Sequence, residues 1–316
     1  RGVSDTIVVV ITDGKDKFVL KMGVKANLRN TIKEESLRRK ILLPYFEGHL
    51  PEILSYQIHS GIEVMKMQHV GDYNFHEVVM SGLKPSTASS EILSQILSIK
   101  KKLWLSTSKP YAVTDCLRDY QKRADEIADR VEQLMLRGQK AFDFLDLPVV
   151  INGQGYPSFG QLIERLRHYS PSKHTCDSHG DLNADNILVS ENDWFIVDWE
   201  WTGRHDWIES LSRMYGWWQM MGTTLQDMPK IAITKHCFQL EYILGFSSLI
   251  SELMAQTQIM GRTVADDLNE IEFQEKLNYM LATYYLRDLN FQLQRGRQDF
   301  IVPAIGEAFR AMFPQY

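Results

Sequence analysis

The stretch Ser178–Glu200, SHGDLNADNILVSENDWFIVDWE, decides the interpretation of this chain because polar residues flank its two short apolar runs. The runs Ile187–Val189 and Trp194–Val197 have the length of strands and are separated by turn residues, which is typical of a β-hairpin. Asp198 directly follows the second run, where an apolar residue would be the ordinary choice. A carboxylate at this position indicates that the hairpin delivers it to a functional site.

The predicted register of the hairpin indicates which polar side chains meet. A turn centred near Asn192 pairs residues whose numbers sum to about 384, which places Asn186 opposite Asp198. Asp181 lies on the loop that enters the hairpin. A carboxylate and an amide oxygen form a partial shell for Mg²⁺, which keeps its other positions for phosphate and water. A second carboxylate, free of the metal, can accept a proton from an attacking hydroxyl group.

These residues carry a resemblance to a known group of enzymes. The segments HGDLNADN and VDWE resemble the catalytic and metal-binding motifs of the aminoglycoside phosphotransferase / choline kinase family, which has a protein-kinase-like fold. The resemblance implies that Asp181 is the catalytic base, that Asn186 and Asp198 are metal ligands, and that His179 braces the loop. For Asn186 alone a turn is the alternative interpretation, and for Asp198 alone it is a helix cap.

The rest of the chain divides into a short β-rich part and a long helical part. The first 70 residues predict the order β-β-α-β-β, with the helix at Asn30–Phe46. The resemblance implies an α+β, bilobal protein-kinase-like fold: a small nucleotide-binding lobe at 1–70 and a large, mostly helical catalytic and substrate-binding lobe at 71–316, with a helical insert at about 112–175. The predicted strands are Thr6–Ile11, Lys17–Met22, Ile53–His59 and Gly61–His69, and the later helices are Ala88–Ser106, Asp115–Leu136, Phe159–Tyr169 and four or five segments after Ile208.

The same resemblance implies a lysine that holds the nucleotide. The stretch FVLK, which ends at Lys21, resembles the V-A-I-K pattern whose lysine contacts the α- and β-phosphates; Lys25 is the alternative. The ion-pair partner of this lysine is Glu34 or Glu35. We predict Glu34, because it shares a helical face with the apolar residues three and seven positions further on.

Two further segments are assigned to the nucleotide by resemblance. The segment GVSD at residues 2–5 resembles a G-x-S-N loop, in which Ser4 and backbone N–H groups contact phosphate oxygens; a plain turn is the alternative. The segment Met65–Val70 would be the hinge, where backbone groups recognise the base. The expected donor is ATP, and GTP is the alternative because backbone groups would make the hinge contacts. The hinge residues assigned to nucleotide binding are Met67, Gln68 and His69.

The stretch after Asp198 bears on the acceptor. Aromatic faces and carboxylates suit a cationic acceptor, and they suit a sugar ring equally; core packing at helical spacing is the alternative. The expected reaction is Mg²⁺-dependent transfer of the γ-phosphate of ATP to a hydroxyl of a small molecule: an aminoglycoside, an amino alcohol such as choline, or a sugar-like compound. The residues concerned are Trp199, Trp201, Trp207, Tyr215, Trp217 and Trp218, with Glu200, Asp206 and Glu209.

Two alternative functions use the same fold. A protein Ser/Thr kinase is disfavoured because the chain has VDWE in place of D-F-G and lacks an A-P-E segment. A nucleotide-binding pseudokinase that serves as an interaction module is disfavoured because the whole motif set is present: Lys21, Asp181, Asn186 and Asp198.

Composition excludes several classes of partner. The 35 basic and 40 acidic residues give a net charge of −5, which provides no basic footprint for nucleic acid and disfavours an anionic membrane. No apolar run approaches the roughly 20 residues of a membrane span, and no signal peptide is expected. The three scattered cysteines predict a reduced, cytoplasmic compartment without a zinc site. The oligomeric state stays open.

Overall fold

The computed structural model of the chain describes its residues in segments. The predictions at Ser4 and Lys25 lie outside these segments, as does most of the predicted helix Asp115–Leu136, of which residues 124–129 are described and helical. The described residues are 6–24, 31–112, 124–129, 144–168, 172–191, 193–287, 289 and 297–316.

Strands and helices are mixed irregularly along the chain, and the N-terminal part is rich in strands while the C-terminal part is mostly helical. The predicted α+β class is therefore confirmed. The described strands are β1 (Thr6–Asp13), β2 (Asp16–Val24), β3 (Ile53–His59), β4 (Ile62–Gln68), β5 (Tyr73–Asn74), β6 (Lys109–Pro110), β7 (Pro148–Ile151), β8 (Gln154–Ser158), β9 (His174–Ser178), β10 (Ile187–Val189), β11 (Trp194–Ile196), β12 (Gly203–Asp206), β13 (Thr224–Leu225), β14 (Lys230–Ile233), β15 (Phe238–Glu241) and β16 (Leu244–Gly245). The longer helices are α1 (Ile32–Leu42), α2 (Phe75–Ser81), α3 (Ser86–Thr107), α4 (Phe159–Arg167), α5 (Trp207–Met221), α6 (Ser248–Asp267), α7 (Phe273–Arg287) and α8 (Ile301–Met312). Short 3-10 helices occur at Phe144–Asp146, Ala184–Asn186, Trp199–Trp201 and Gln298–Phe300.

The N-terminal sheet belongs to the first of two compact units, which comprises Arg1–Ser108 and Cys176–His205. Its strands are antiparallel in the order β1-β2-β4-β3. Lys21 on β2 lies opposite Val8 on β1 and opposite Met65 on β4. Directly opposite side chains point to the same face of a sheet. Val8 and Met65 therefore share the face of Lys21.

The hairpin of β10 and β11 is present in the same unit, but its register is one residue away from the prediction. Val197 N–H donates to Asn186 O, so Asn186 lies opposite Val197 and not opposite Asp198. The reason is the turn, which is closed by the hydrogen bond from Ser190 N–H to Asp193 O (2.9 Å). A shift of one position in the pairing register turns each side chain of a strand to the opposite face of the sheet.

The second unit comprises Lys109–Thr175 and Asp206–Tyr316 and contains most of the long helices. Within it, α7 packs against α5 and α8, and α6 packs against α5. A four-stranded sheet has the order β14-β15-β7-β8, in which β15 and β7 are parallel. Glu307 joins these layers, because it accepts hydrogen bonds from the Tyr242 hydroxyl (2.8 Å) and the Gln219 amide (2.7 Å).

The tryptophans of α5 are core residues. Trp207, Trp217 and Trp218 are at most 3% exposed. The Trp207 ring stacks on Phe273 of α7, with 5.6 Å between the centroids. For these three residues the structure supports packing over acceptor binding.

Several predicted boundaries differ from the structure. The expectation that the chain after Ile208 is nearly all helix, in four or five segments, is wrong at 224–245, where β13–β16 occur. Short runs such as KIAI carry no period that separates strand from helix. In its described part, the predicted helical insert contains the hairpin of β7 and β8. The compact units group 176–205 with the N-terminal segment, and the lobe boundary at residue 70 stays a prediction. Within the described residues, no helix combines the length and apolarity needed to cross a membrane.

Candidate active site

Lys21 is the centre of an ion-pair group in the first unit. Its side chain is 6% exposed, and Nζ lies 2.9 and 2.8 Å from the two carboxylate oxygens of Glu35 and 2.9 Å from Oδ1 of Asp198. Burial lowers the pKa of Lys21, but the two carboxylates more than offset this effect, so its pKa lies above the ordinary value. Burial raises the pKa of Glu35, and Lys21 opposes that shift. The charged ammonium thus joins β2, α1 and the end of the β10–β11 hairpin.

The partner of Lys21 on α1 is Glu35, and the prediction of Glu34 is wrong. Glu34 instead forms a capping box with Thr31: each residue's backbone N–H donates to the other's side chain at 3.1 Å. The prediction assumed that the apolar face of α1 points inward, but Leu37 on that face is 49% exposed. Glu35 is the buried glutamate, at 3% exposure.

The docking of α1 explains why Glu35 is presented to the lysine. Arg38 donates a hydrogen bond to Glu200 O, and the guanidinium of Arg39 lies 5.4 Å from the centre of the Trp199 ring. Residues three and four positions apart share one face of a helix. The face that carries Glu35 therefore packs on the turn that follows Asp198.

Asp198 has a left-handed backbone, with φ 65° and ψ 66°. Aspartate and asparagine tolerate this region better than other residues with a side chain. A regular strand would point Val197 and Asp198 to opposite faces, and the left-handed conformation breaks this alternation. The carboxylate reaches Lys21 and remains 43% exposed.

The loop at Asp181 is held by two asparagine side chains. The carbonyl oxygen of Asp181 accepts hydrogen bonds from Asn186 Nδ2 (2.8 Å) and Asn183 Nδ2 (3.3 Å). Asn183 Oδ1 in turn accepts from Asp185 N–H (2.9 Å). Because Asn186 donates through its nitrogen, its Oδ1 is the atom suited to bind a cation. Asn183 is a structural position of this loop that the sequence analysis missed, although its N-cap signal was readable.

His179 connects this loop to the strand that leads to Asp198. Its Nε2 donates to Val197 O (2.9 Å), and its Nδ1 accepts from Asp181 N–H (3.4 Å). Burial lowers the pKa of His179 to about 4, so the ring is neutral at pH 7, as this pair of bonds requires. The predicted bracing role is confirmed by these contacts.

Gly180 is a second position that the sequence analysis missed. Its φ is +78°, and a Cβ there would overlap Trp201 O and lie 2.6 Å from His205 Nε2. His205 is buried and hydrogen-bonded to Trp201 O (2.7 Å). Only glycine allows the backbone that leads to Asp181 to adopt this conformation so close to Trp201 and His205.

We expect Gly180→Ala to lower the free energy of unfolding by roughly 2–6 kcal/mol, because it combines left-handed strain with overpacking. Gly61→Ala is the matched control, since Gly61 has φ +80° but open space around the added methyl group. It should cost only about 1–2 kcal/mol. Urea unfolding of both variants measures the difference, and equal losses would show that the overlap at Gly180 is relieved without cost.

An apolar row shares the sheet face of Lys21. Val19 lies two residues before Lys21, opposite Val10 on one side and Met67 on the other. Val8 and Val10 are each 57% exposed. The row is a partly exposed apolar surface, and the register of the β-sheet places it beside the lysine.

The predicted hinge residues lie at the end of β4. Met67 and Gln68 are its last two residues, and His69 follows. Gln68 N–H donates to Glu52 O (2.9 Å), and His69 Nε2 lies 3.5 Å from Asp72. The backbone N–H of Gln68 is thus already hydrogen-bonded within the chain.

Few protein ligands are available for a metal ion at this site. No group of three or more His, Cys, Asp or Glu side chains suited to a metal occurs in the part of the chain that the structure describes. A cation here would take Asp198 and the Asn186 amide oxygen, and complete its shell with phosphate and water. These hard oxygen ligands, few in number, fit Mg²⁺.

Comparison with known proteins returned similarity at the level of structure alone. No protein-family model matches the chain, and no curated protein matches its sequence. A type VIII aminoglycoside-3'-phosphotransferase is 12% identical with a TM-score of 0.46, covering 89% of this chain and 94% of that chain. A GDP complex of a mutant aminoglycoside 2'-phosphotransferase is 14% identical with a TM-score of 0.49, covering 99% and 93%. A choline/ethanolamine kinase family protein from Mesorhizobium loti is 12% identical with a TM-score of 0.47, covering 97% and 92%.

These solved structures belong to the enzyme groups that the motifs resemble. With TM-scores below 0.5 and identities of 12–14%, these similarities assign no role to any residue of this chain.

Proposed function

We propose that this chain transfers the γ-phosphate of ATP, with Mg²⁺, to a hydroxyl group of a small molecule. The observation that supports this most directly is the position of Lys21 between Glu35 and Asp198. The loop of Asp181 is tied to the same hairpin through Asn186 and His179. Phosphoryl transfer requires little more than a phosphate-binding lysine, metal ligands and a base held in fixed relation.

Each residue then has one role. Lys21 holds the α- and β-phosphates and is oriented by Glu35. Ser4, which lies outside the described residues, is assigned to phosphate by the motif resemblance alone. Asn186 and Asp198 are the metal ligands. Asp181 accepts the proton of the acceptor hydroxyl. Mg²⁺ at Asn186 and Asp198 would neutralise the charge on the phosphate oxygens.

The base of the nucleotide is assigned to the apolar row beside Lys21. Val10, Val19 and Met67 would cover one face of the ring. Because Gln68 N–H is bonded to Glu52 O, a backbone contact to the ring edge is better assigned to His69 than to Gln68. Backbone recognition accommodates ATP and GTP, and both donors belong in the test.

The acceptor class is proposed from the motif resemblance: an aminoglycoside, an amino alcohol such as choline, or a sugar-like compound. A protein Ser/Thr kinase and a nucleotide-binding module remain the alternatives. The cytoplasmic compartment stays a prediction from the scattered cysteines.

The proposal is tested by a thermal-shift screen followed by a transfer assay. A non-hydrolysable ATP analogue with Mg²⁺ should raise the unfolding temperature, since ligand at 100 times its Kd adds about 2.7 kcal/mol of stability. The acceptors to be added are aminoglycosides, choline-like amines, sugars and nucleosides, each with ATP or GTP as donor.

Transfer of labelled γ-phosphate to one of these compounds, and not to water alone, is the expected result. Nucleotide binding without transfer to any acceptor would favour the interaction module. Phosphorylation of peptides at a comparable rate would favour the protein kinase.

A further inference from the structure

The Lys21–Asp198 contact has a consequence for how the metal binds, and this inference rests on the proposed function of the site. Lys21 Nζ lies 2.9 Å from Asp198 Oδ1 in the nucleotide-free protein. Both carboxylate oxygens of Glu35 also contact the ammonium, at 2.9 and 2.8 Å. The proposed metal ligand is therefore already occupied by an internal cation.

We propose that Lys21 is an internal competitor for Asp198, so that the protein binds its divalent cation weakly until an anionic phosphate draws the ammonium away. A metal ligand distance to a carboxylate oxygen is about 2.1 Å for Mg²⁺. A cation at that distance from Asp198 would meet the positive charge of Lys21 only a few ångströms away, where like charges repel strongly.

The burial of the group strengthens this competition. Lys21 and Glu35 are 6% and 4% exposed at their side chains, whereas Asp198 is 43% exposed. The charge of the ammonium is therefore weakly screened by solvent, and Glu35 holds the ammonium in place. The Asp198 carboxylate that it contacts is the more accessible partner. Release of Asp198 requires a compensating negative charge beside Lys21, which the phosphates of a nucleotide supply.

Metal and nucleotide binding are coupled as a result. Each ligand should raise the affinity for the other by the same factor, because coupling free energies between two bound ligands are reciprocal. Lys21 carries this coupling, since it is the group that both ligands displace or engage. Removal of Lys21 should therefore improve metal binding in the absence of nucleotide, although it damages nucleotide binding.

The test is titration of the nucleotide-free protein with Mn²⁺, followed by electron paramagnetic resonance of the free ion. Lys21→Gln should bind Mn²⁺ at least about tenfold more tightly than the unaltered protein. Lys17→Gln is the matched control, because Lys17 lies on the same strand, pairs with Asp72 at 3.0 Å, and loses the same charge. It should leave Mn²⁺ affinity nearly unchanged.

Two more variants keep the inference falsifiable if Lys21→Gln distorts the site. Lys21→Gln with Glu35→Gln removes the buried carboxylate as a replacement ligand and should retain the gain in affinity. Glu35→Gln alone leaves Lys21 with Asp198 as its remaining carboxylate and should weaken Mn²⁺ binding about threefold or more. Glu34→Gln, which alters only the helix cap, is the control for that change.

Equal or weaker Mn²⁺ binding by the folded Lys21→Gln protein would overturn the inference, as would loss of the gain in the double variant. The titration needs neither nucleotide nor acceptor. A failure to detect phosphate transfer would therefore count against the proposed function, and the outcome of the Mn²⁺ titration would be judged separately.

Discussion

Asp181→Asn should lower kcat for phosphate transfer by about 10²–10⁴, the contribution typical of a positioned general base. The substitution keeps the shape of the side chain and removes its ability to accept a proton. The loop should survive, because Asn183 and Asn186 bond to the backbone oxygen of residue 181 and not to its side chain. The affinity for Mg²⁺–nucleotide should therefore remain nearly unchanged.

The measurement is steady-state transfer to the acceptor found in the screen, together with nucleotide titration of the same sample. Asp185→Asn is the matched control, because Asp185 is an aspartate on the same loop. Its bond to Asn183 is made by its backbone N–H, which the substitution keeps. It should retain most of the turnover. Normal turnover in the Asp181→Asn protein would show that another group accepts the proton.

Asp198→Asn should strongly weaken productive binding of the metal–nucleotide complex. Loss of the single carboxylate in the proposed ligand pair is expected to weaken affinity by about 100-fold or more, corresponding to about 3 kcal/mol. Asparagine is preferred to alanine for this test because φ is 65° at this position, and asparagine tolerates the left-handed region. A loss of affinity then reports the missing charge and not a distorted backbone.

Isothermal titration with Mg²⁺ and a non-hydrolysable ATP analogue measures the effect. Asp193→Asn at the other end of the hairpin is the control, since its carboxylate lies 3.1 Å from His49 Nδ1 and is 47% exposed. If Asp198→Asn bound the metal–nucleotide complex as well as the unaltered protein, Asp198 would not be a metal ligand.

The sequence pattern predicted the parts of the site that depend on short-range order. The hairpin of β1 and β2, the lysine on β2 and the hairpin that ends at Asp198 were all readable from alternating apolar residues and turn signals. Strand β3 has its predicted bounds, Ile53–His59. These features are local, so a few neighbouring residues determine them.

Features that depend on tertiary packing were not predictable in this way. Glu34 and Glu35 differ in role because α1 turns its arginine face, and not Leu37, toward the turn after Asp198. The need for glycine at position 180 arises from Trp201 and His205, which come from a later part of the chain. No periodicity in the sequence encodes such contacts.

The one-residue error in the hairpin register has a different cause. The alternation of apolar residues in β10 and β11 is too short to distinguish neighbouring registers. The hydrogen bond from Ser190 N–H to Asp193 O determines the register. The residues of this turn suit closure at this position or at the next, so the sequence does not distinguish the two registers.

The backbone of Asp198 also bears on how this protein could change during evolution. A single nucleotide change converts an aspartate codon into an asparagine codon, and the left-handed conformation accepts both residues. Lys21 would keep Glu35 as a partner after such a change. Selection for folding would therefore offer little protection to the charge at this position, and only selection for catalysis would preserve it. A lineage freed from that demand lies one mutational step from a stable protein without activity.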